Sequence, residues 1–355
     1  MITIKNLKIS NLIAEKPIIQ GGMGVGISRS SLAGYVALNG GVGVISGVQI
    51  GYDEPDFETN TLEANLRAVE KHIKKAKEIA SGNGVIGINY MVAMNNYDIF
   101  VKKAVESGVD LIISGAGLPT KLPSLVKGSD VKIAPIVSTV KAAKVILKMW
   151  ARKDKRTADM IVVEGPKAGG HLGFSEEEAK NADTFDYDKE FKGIIEVAKE
   201  YGEKFGVEIP VIAAGGISDA ETVKKYMNMG ASGVQIGSRF VATEECDAHI
   251  NFKNMYVNSS KDDIDIVVSP VGMPGRAIQN DFIKSVKAKR PEIKKCYNCL
   301  IPCNPAETPY CISQALINAV KGDVDNALIF CGADTYKIDR ISTVKEVMDE
   351  LTSLL

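Results

Sequence analysis

The sequence predicts an α/β fold, a (β/α)8 barrel with an inserted acidic loop and a C-terminal helical extension, and three observations carry that expectation. Eight short β-branched runs recur over the first two-thirds of the chain, amphipathic stretches separate them, and glycine or small polar residues follow strand after strand. The runs are apolar without clean alternation, as strands covered on both faces are. An open doubly wound sheet is the alternative that the same pattern allows.

In order, the strands are expected at Pro17–Gln20, Val42–Ser46, Val85–Tyr90, Asp110–Ser114, Lys132–Val137, Met160–Val163, Pro210–Ala214 and Gly233–Ile236. Helical periodicity falls between them at Thr61–Ala80, Tyr97–Ser107, Val140–Arg152, Lys189–Lys204 and Asp219–Met229. Together they place a barrel domain at 1–245, and an extension at 246–355 with helices near Ile312–Lys321 and Val344–Leu354. The stretch from Gly165 to Asp188 exceeds an ordinary strand-to-helix loop and carries six acidic residues, so it reads as an acidic lid or insertion. Gly21-Gly22, Ser46-Gly47, Gly115 to Gly117, Gly165, Gly215-Gly216 and Gly237-Ser238 all fall on the rim where the strands end, which is where such barrels build their sites.

The chain has 355 residues, 45% hydrophobic and 25% charged, with a formal net charge of -1. That balance gives no general pull toward nucleic acid or an anionic membrane. No apolar run approaches the ~20 residues of a membrane span, and the N-terminal stretch lacks the apolar core of a signal peptide. A cytoplasmic protein acting on a small molecule is expected, with a homodimer as a candidate assembly.

Two glycine loops, Ala213-Ala214-Gly215-Gly216 and Gln235-Ile236-Gly237-Ser238, open onto helix starts. Backbone donors and the positive ends of helix dipoles would meet there, at the usual phosphate corner of this architecture. Ser218 is expected to cap a helix beginning at Asp219, and Arg239 to assist the phosphate or pair with an acid. At the other end of the rim, Gly22 and Met23 offer backbone and an apolar face, and Asn89 offers a donor and an acceptor on one planar group. A flat heteroaromatic ring carrying a phosphate fits both ends, and flavin mononucleotide is such a molecule.

The motifs IIQGGMG (18–24), GINY (87–90), VEGPKAGGHLG (163–173), IPVIAAGGI (209–217) and VQIGSRF (234–240) resemble, in order and spacing, the nitronate monooxygenase (2-nitropropane dioxygenase) family of FMN-dependent TIM barrels, which includes the FMN-dependent enoyl-acyl-carrier-protein reductase II. The resemblance implies that Gly22 and Met23 face the flavin ring through their backbone, that Asn89 hydrogen-bonds it, and that Glu164 occupies a position where relatives often carry glutamine. It places the ribityl phosphate on Gly169, Gly216, Gln235, Ile236, Gly237 and Ser238, with Gly215 also in the cofactor site. His171 matches the family's active-site histidine, and histidine is the side chain best suited to proton exchange near neutral pH.

The expected activity is oxidation of alkyl nitronates with O2 through reduced flavin. The alternatives are an NAD(P)H-dependent enoyl-acyl-carrier-protein reductase, with acyl carrier protein as partner, and an NAD(P)H:quinone or flavin reductase. A flavin-independent phosphosugar enzyme ranks below these. NAD(P)H is a candidate co-substrate only. Many relatives carry a flavin-reaching lysine at the end of strand five, where this chain reads Ala134-Pro135-Ile136-Val137-Ser138-Thr139-Val140; the departure favours reduction. The tail favours the monooxygenase group.

Three features remain. His72 lies among lysines and reads as surface, whereas the role of His249 is left open, a substrate or structural role near the pocket being one candidate. Cys296, Cys299, Cys303 and Cys311 have spacing that could suit zinc or an iron–sulphur cluster, but no metal is assigned to them. Cys246 and Cys331 read as core.

Overall fold

In the computed structural model, which describes residues 5–355, the eight expected runs close into one parallel barrel. An N-terminal hairpin, β1 (Leu7–Ile9) and β2 (Leu12–Ala14), precedes the first barrel strand, β3 (Ile18–Gln20). The barrel continues through β4 (Val42–Ser46), β5 (Val85–Met91), β6 (Leu111–Gly115), β7 (Lys132–Val137) and β8 (Ile161–Glu164). After the two-residue strand β9 (Gly170–His171), it is completed by β10 (Val211–Ala214) and β11 (Gly233–Ile236). β11 pairs with both β10 and β3, and that closure excludes the open sheet.

The hairpin seals the lower end. Leu7, Ile9 and Ala14 pack in one cluster with the inward residues Ile19, Val44, Leu111, Ile113 and Val162. This leaves the other end, where the glycine loops emerge, as the open one.

At least one helix follows each of the first seven barrel strands, among them Thr61–Ala80, Val140–Lys153 and Tyr187–Phe205. The eighth position is unusual. Only the four residues Ser238–Val241 are helical directly after β11. The place beside Ser30–Leu38 and Ala220–Asn228 is taken instead by Val344–Thr352, which packs against both. Thr343 caps that helix through a reciprocal pair with Glu346, and Val344, Val347, Met348 and Leu351 are its buried side.

Between these two helical pieces lies more than the expected helices. A hairpin, β12 (Ile264–Val268) and β13 (Pro274–Ile278), precedes the helices Asp281–Ala288 and Ile312–Lys321. Proline and glycine inside β13 conceal it as a strand, and its second pairing partner, β9, lies far away in sequence. β13 pairs on its other side with β9, bringing Gly275 opposite His171.

The insertion after β8 is anchored rather than a free lid. The buried Arg276 guanidinium donates to the carbonyls of Pro166 and Ala168 at 2.7 Å and of Ala179 at 2.8 Å. A single-turn helix, Glu176–Lys180, is held by a capping box between Ser175 and Glu178. Among the described residues no helix is long and apolar enough to cross a membrane.

Candidate active site

The open end of the barrel holds a cavity of about 280 Å3, and all twelve residues singled out from the sequence line it. Gly22, Met23 and Asn89 lie on the side of β3 and β5, Glu164 ends β8, and Gly169 and His171 follow it. Gly215 and Gly216 end β10, while Gln235, Ile236, Gly237 and Ser238 surround the end of β11.

The glycine corner differs from expectation in one useful way. Asp219, not Ser218, caps the helix Ala220–Asn228: its carboxylate accepts from Thr222 N–H at 2.8 Å, and Thr222 completes a capping box. Ser218 is thereby released. Its hydroxyl is buried without a hydrogen-bond partner, and the residue lines the cavity. Gly215 and Gly216, with φ of 90° and 73°, turn the chain just before it through backbone angles that side chains disfavour. Arg239 pairs with Glu350 at 2.6 Å and reaches the Ser218 carbonyl at 3.4 Å, so its charge is largely engaged by an acidic neighbour.

At the ring side, Met23 N–H donates to Ser28 Oγ at 2.9 Å, so this backbone donor is occupied within the protein. Asn89 and Glu164 line the cavity, and among the described residues neither side chain has a protein hydrogen-bond partner. Burial pushes the Glu164 carboxyl up to about 8.

Gly169 has a reason that its motif does not disclose. A Cβ there would lie 2.6 Å from the Cys331 backbone, so the segment after strand six is pressed against the extension. Next to it His171 stands on β9, with Phe330 edge-on at 4.9 Å between ring centroids. Nε2 of His171 lies 2.6 Å from Ser269 Oγ, and burial holds the imidazole down at about 4, hence neutral near pH 7.

Several cavity walls came from sequence that carried no recognised signal. Leu300, Ile312, Leu316, Leu328 and Phe330 form an apolar portion, all from the segment inserted between β11 and its helix. Gly332 N–H donates to Ser238 Oγ at 2.9 Å, closing the glycine corner from the same segment. The run Cys331-Gly332-Ala333-Asp334, small residues beside the cavity, was the available hint.

The expectation for His72 is corrected. His72 is buried, not on the surface: its Nδ1 is 2.9 Å from Ser30 Oγ, and burial lowers it to about 4. His249 does not line the cavity; it is exposed and caps Ile250–Val257, with Nδ1 accepting from Asn251 N–H at 3.1 Å. Cys246 and Cys331 are buried, and Cys331 also borders the cavity. Among the described residues, no three His, Cys, Asp or Glu side chains are gathered as metal ligands, the four clustered cysteines included. Cys299 reaches the cavity wall as a thiol that burial pushes up to about 11.

Comparison with known proteins adds to this geometry. The model of a family described as nitronate monooxygenase matches residues 5–353. A probable nitronate monooxygenase of Staphylococcus aureus strain Newman is 28% identical over 306 residues, covering 79% of this chain and 80% of its own. The structure of FabK from Thermotoga maritima superposes with a TM-score of 0.73 at 25% identity, over 96% of this chain and 92% of that one. A nitroalkane oxidase from Streptomyces ansochromogenes gives a TM-score of 0.71 at 18% identity over 95% and 94%, a likeness of fold.

Proposed function

Because the chain belongs to the nitronate monooxygenase family, we propose that it is an FMN-dependent oxidoreductase whose substrate is an alkyl nitronate, oxidised in the cavity at the barrel mouth. One observation carries the reading. A single cavity has at one end a partnerless serine hydroxyl beside two glycines at positive φ, and at the other a partly buried histidine that desolvation keeps neutral.

The residues present fit FMN. Ser218 Oγ, with the backbone of Gly216 and Gly237, would take the phosphate, which satisfies a hydroxyl otherwise buried at a cost. Asn89 and Glu164 would take polar edges of the ring, Glu164 as a neutral acid able to donate. Bound there, FMN supplies the electron transfer that no side chain of the cavity can.

The protein's own contribution is positioning and exclusion of water. The Arg276 clamp and the β9–β13 pairing fix His171 over the cavity, where its ring can hydrogen-bond the substrate's oxygen. The apolar walls receive the alkyl portion and keep solvent away from the reacting end.

A second reading, NAD(P)H-dependent enoyl-thioester reduction, is favoured by the stretch Pro135–Val140, which has no lysine, and by an apolar wall suited to an acyl chain. Anaerobic mixing separates the two. Bleaching of the flavin by ethylnitronate supports nitronate oxidation; bleaching by NADH or NADPH, reversed by an enoyl thioester but indifferent to nitronate, supports the reductase.

A further inference from the structure

Ser269 lies outside every motif, yet it is the hydrogen-bond partner of His171. It opens the loop that joins β12 to β13 and is only 2% exposed. Its backbone is fixed by Gly272 N–H, which donates to the Ser269 carbonyl at 3.0 Å. Its Oγ stands 2.6 Å from Nε2 and receives a long contact from Val271 N–H at 3.4 Å. Among the described residues the buried Ser269 hydroxyl has no other acceptor in reach, so its proton is satisfied only when it is donated to Nε2 and the ring nitrogen accepts.

A neutral imidazole has one N–H, so a proton-accepting Nε2 places that hydrogen on Nδ1. Among the described residues Nδ1 has no hydrogen-bond partner, and His171 lines the cavity. Phe330, edge-on to the ring, limits its freedom to turn over. The group offered to a ligand is therefore a donor. The nitrogen that could act as a base is already occupied.

We propose that Ser269 is a positioning residue that keeps the His171 proton on Nδ1, so that the imidazole receives substrate as a hydrogen-bond donor and selects an anionic, already deprotonated substrate over its neutral conjugate acid. The proposal rests on the placement of His171 in the site described above. For a nitro compound the selected form is the nitronate, whose oxygens carry the charge that an Nδ1–H can meet. The nitroalkane would need a base that this arrangement withholds.

Nitrogen-15 NMR of histidine-labelled holoenzyme reads the tautomer directly. With three histidines in the chain, the H171N variant identifies the resonances of His171. The expected result is a protonated Nδ1 and a bare Nε2 in the wild type, a mixture of tautomers in S269A, and recovery of the single form in S269T. In parallel, the ratio of kcat/KM for ethylnitronate to that for nitroethane should fall about tenfold in S269A, the loss of one good hydrogen bond. A proton on Nε2 in the wild type, or an S269A spectrum unchanged from it, overturns the proposal. The wild-type spectrum decides even if S269A does not fold, and it is independent of whether nitronate is turned over. Failure of the proposed activity is thus distinguishable from failure of the tautomer.

Discussion

The two sides of the cavity were built in different ways. The barrel side consists of strand ends and the turns that leave them, so each of its residues is placed by the few residues before it. The other side is built by the segment between β11 and Val344–Thr352: the β12–β13 hairpin, the Leu328–Gly332 run and the Ser269 loop. Its residues reach the site through contacts distant in sequence, among them the pairing of β13 with the loop after β8; Ser269 and His171 are 98 apart. The lesson is that local backbone geometry forms the glycine corner, whereas the wall carrying His171 depends on long-range docking.

If that contrast is right, the largest effect should come from cutting the docking. Arg276→Met leaves three buried carbonyls without their donor and should cost about 4 kcal/mol of stability, read by urea unfolding. A loss below about 1 kcal/mol would mean that the loop after β8 stands without the extension.

Next in size is the loss of the group that the docking delivers. His171→Ala should reduce turnover by ~10²-fold or more with flavin still bound, measured by steady-state kinetics and flavin content. Near-normal turnover would make the imidazole a packing residue and remove the functional meaning of the second wall.

The barrel side should respond in binding alone. Ser218→Ala should weaken FMN about tenfold, equivalent to one charge-assisted hydrogen bond, with turnover at saturating FMN unchanged. An unchanged affinity would move the phosphate away from the glycine corner.

A last test reads Glu164 through pH, as a slope rather than a single loss. In the folded apoprotein its carboxyl keeps a proton up to about 8, whereas the unfolded chain releases it near the ordinary value of 4.5. Between these values the folded state binds more protons, so stability contributed by this group declines as pH rises. The melting temperature of the wild type relative to Glu164→Gln should therefore fall from pH 5 to pH 8. A flat difference would show the carboxyl already ionised.

The same contrast explains what could be read from the chain. The eight barrel strands were legible because burial on both faces leaves continuous apolar runs, and closure followed from their number. Strand ends shifted by a residue; Glu164 proved to be the last residue of β8. The glycine corner was legible from its turns, although the cap was misplaced by one residue: Asp219 and Ser218 are both good caps, and only the geometry distinguishes them. His171 stood out because it sits among glycines after an apolar run. Gly169 was visible, but its reason was not, because the Cys331 backbone that requires it is far along the chain.

The hairpin was hidden by the proline and glycine of β13, and Ser269 by the absence of local periodicity. His72 was misread because neighbouring lysines made its helix face look solvated, whereas one turn on the same helix is buried against Ser30. His249, whose role its neighbours alone left open, is a helix cap that only the geometry shows.

Flavin titration of the apoprotein tests the central claim most directly, that one cavity joins the glycine corner to the wall carrying His171 around a single FMN. The account predicts one FMN bound per chain, with weaker binding in Ser218→Ala and retained binding in His171→Ala. A folded apoprotein that takes up no FMN at any concentration would contradict it.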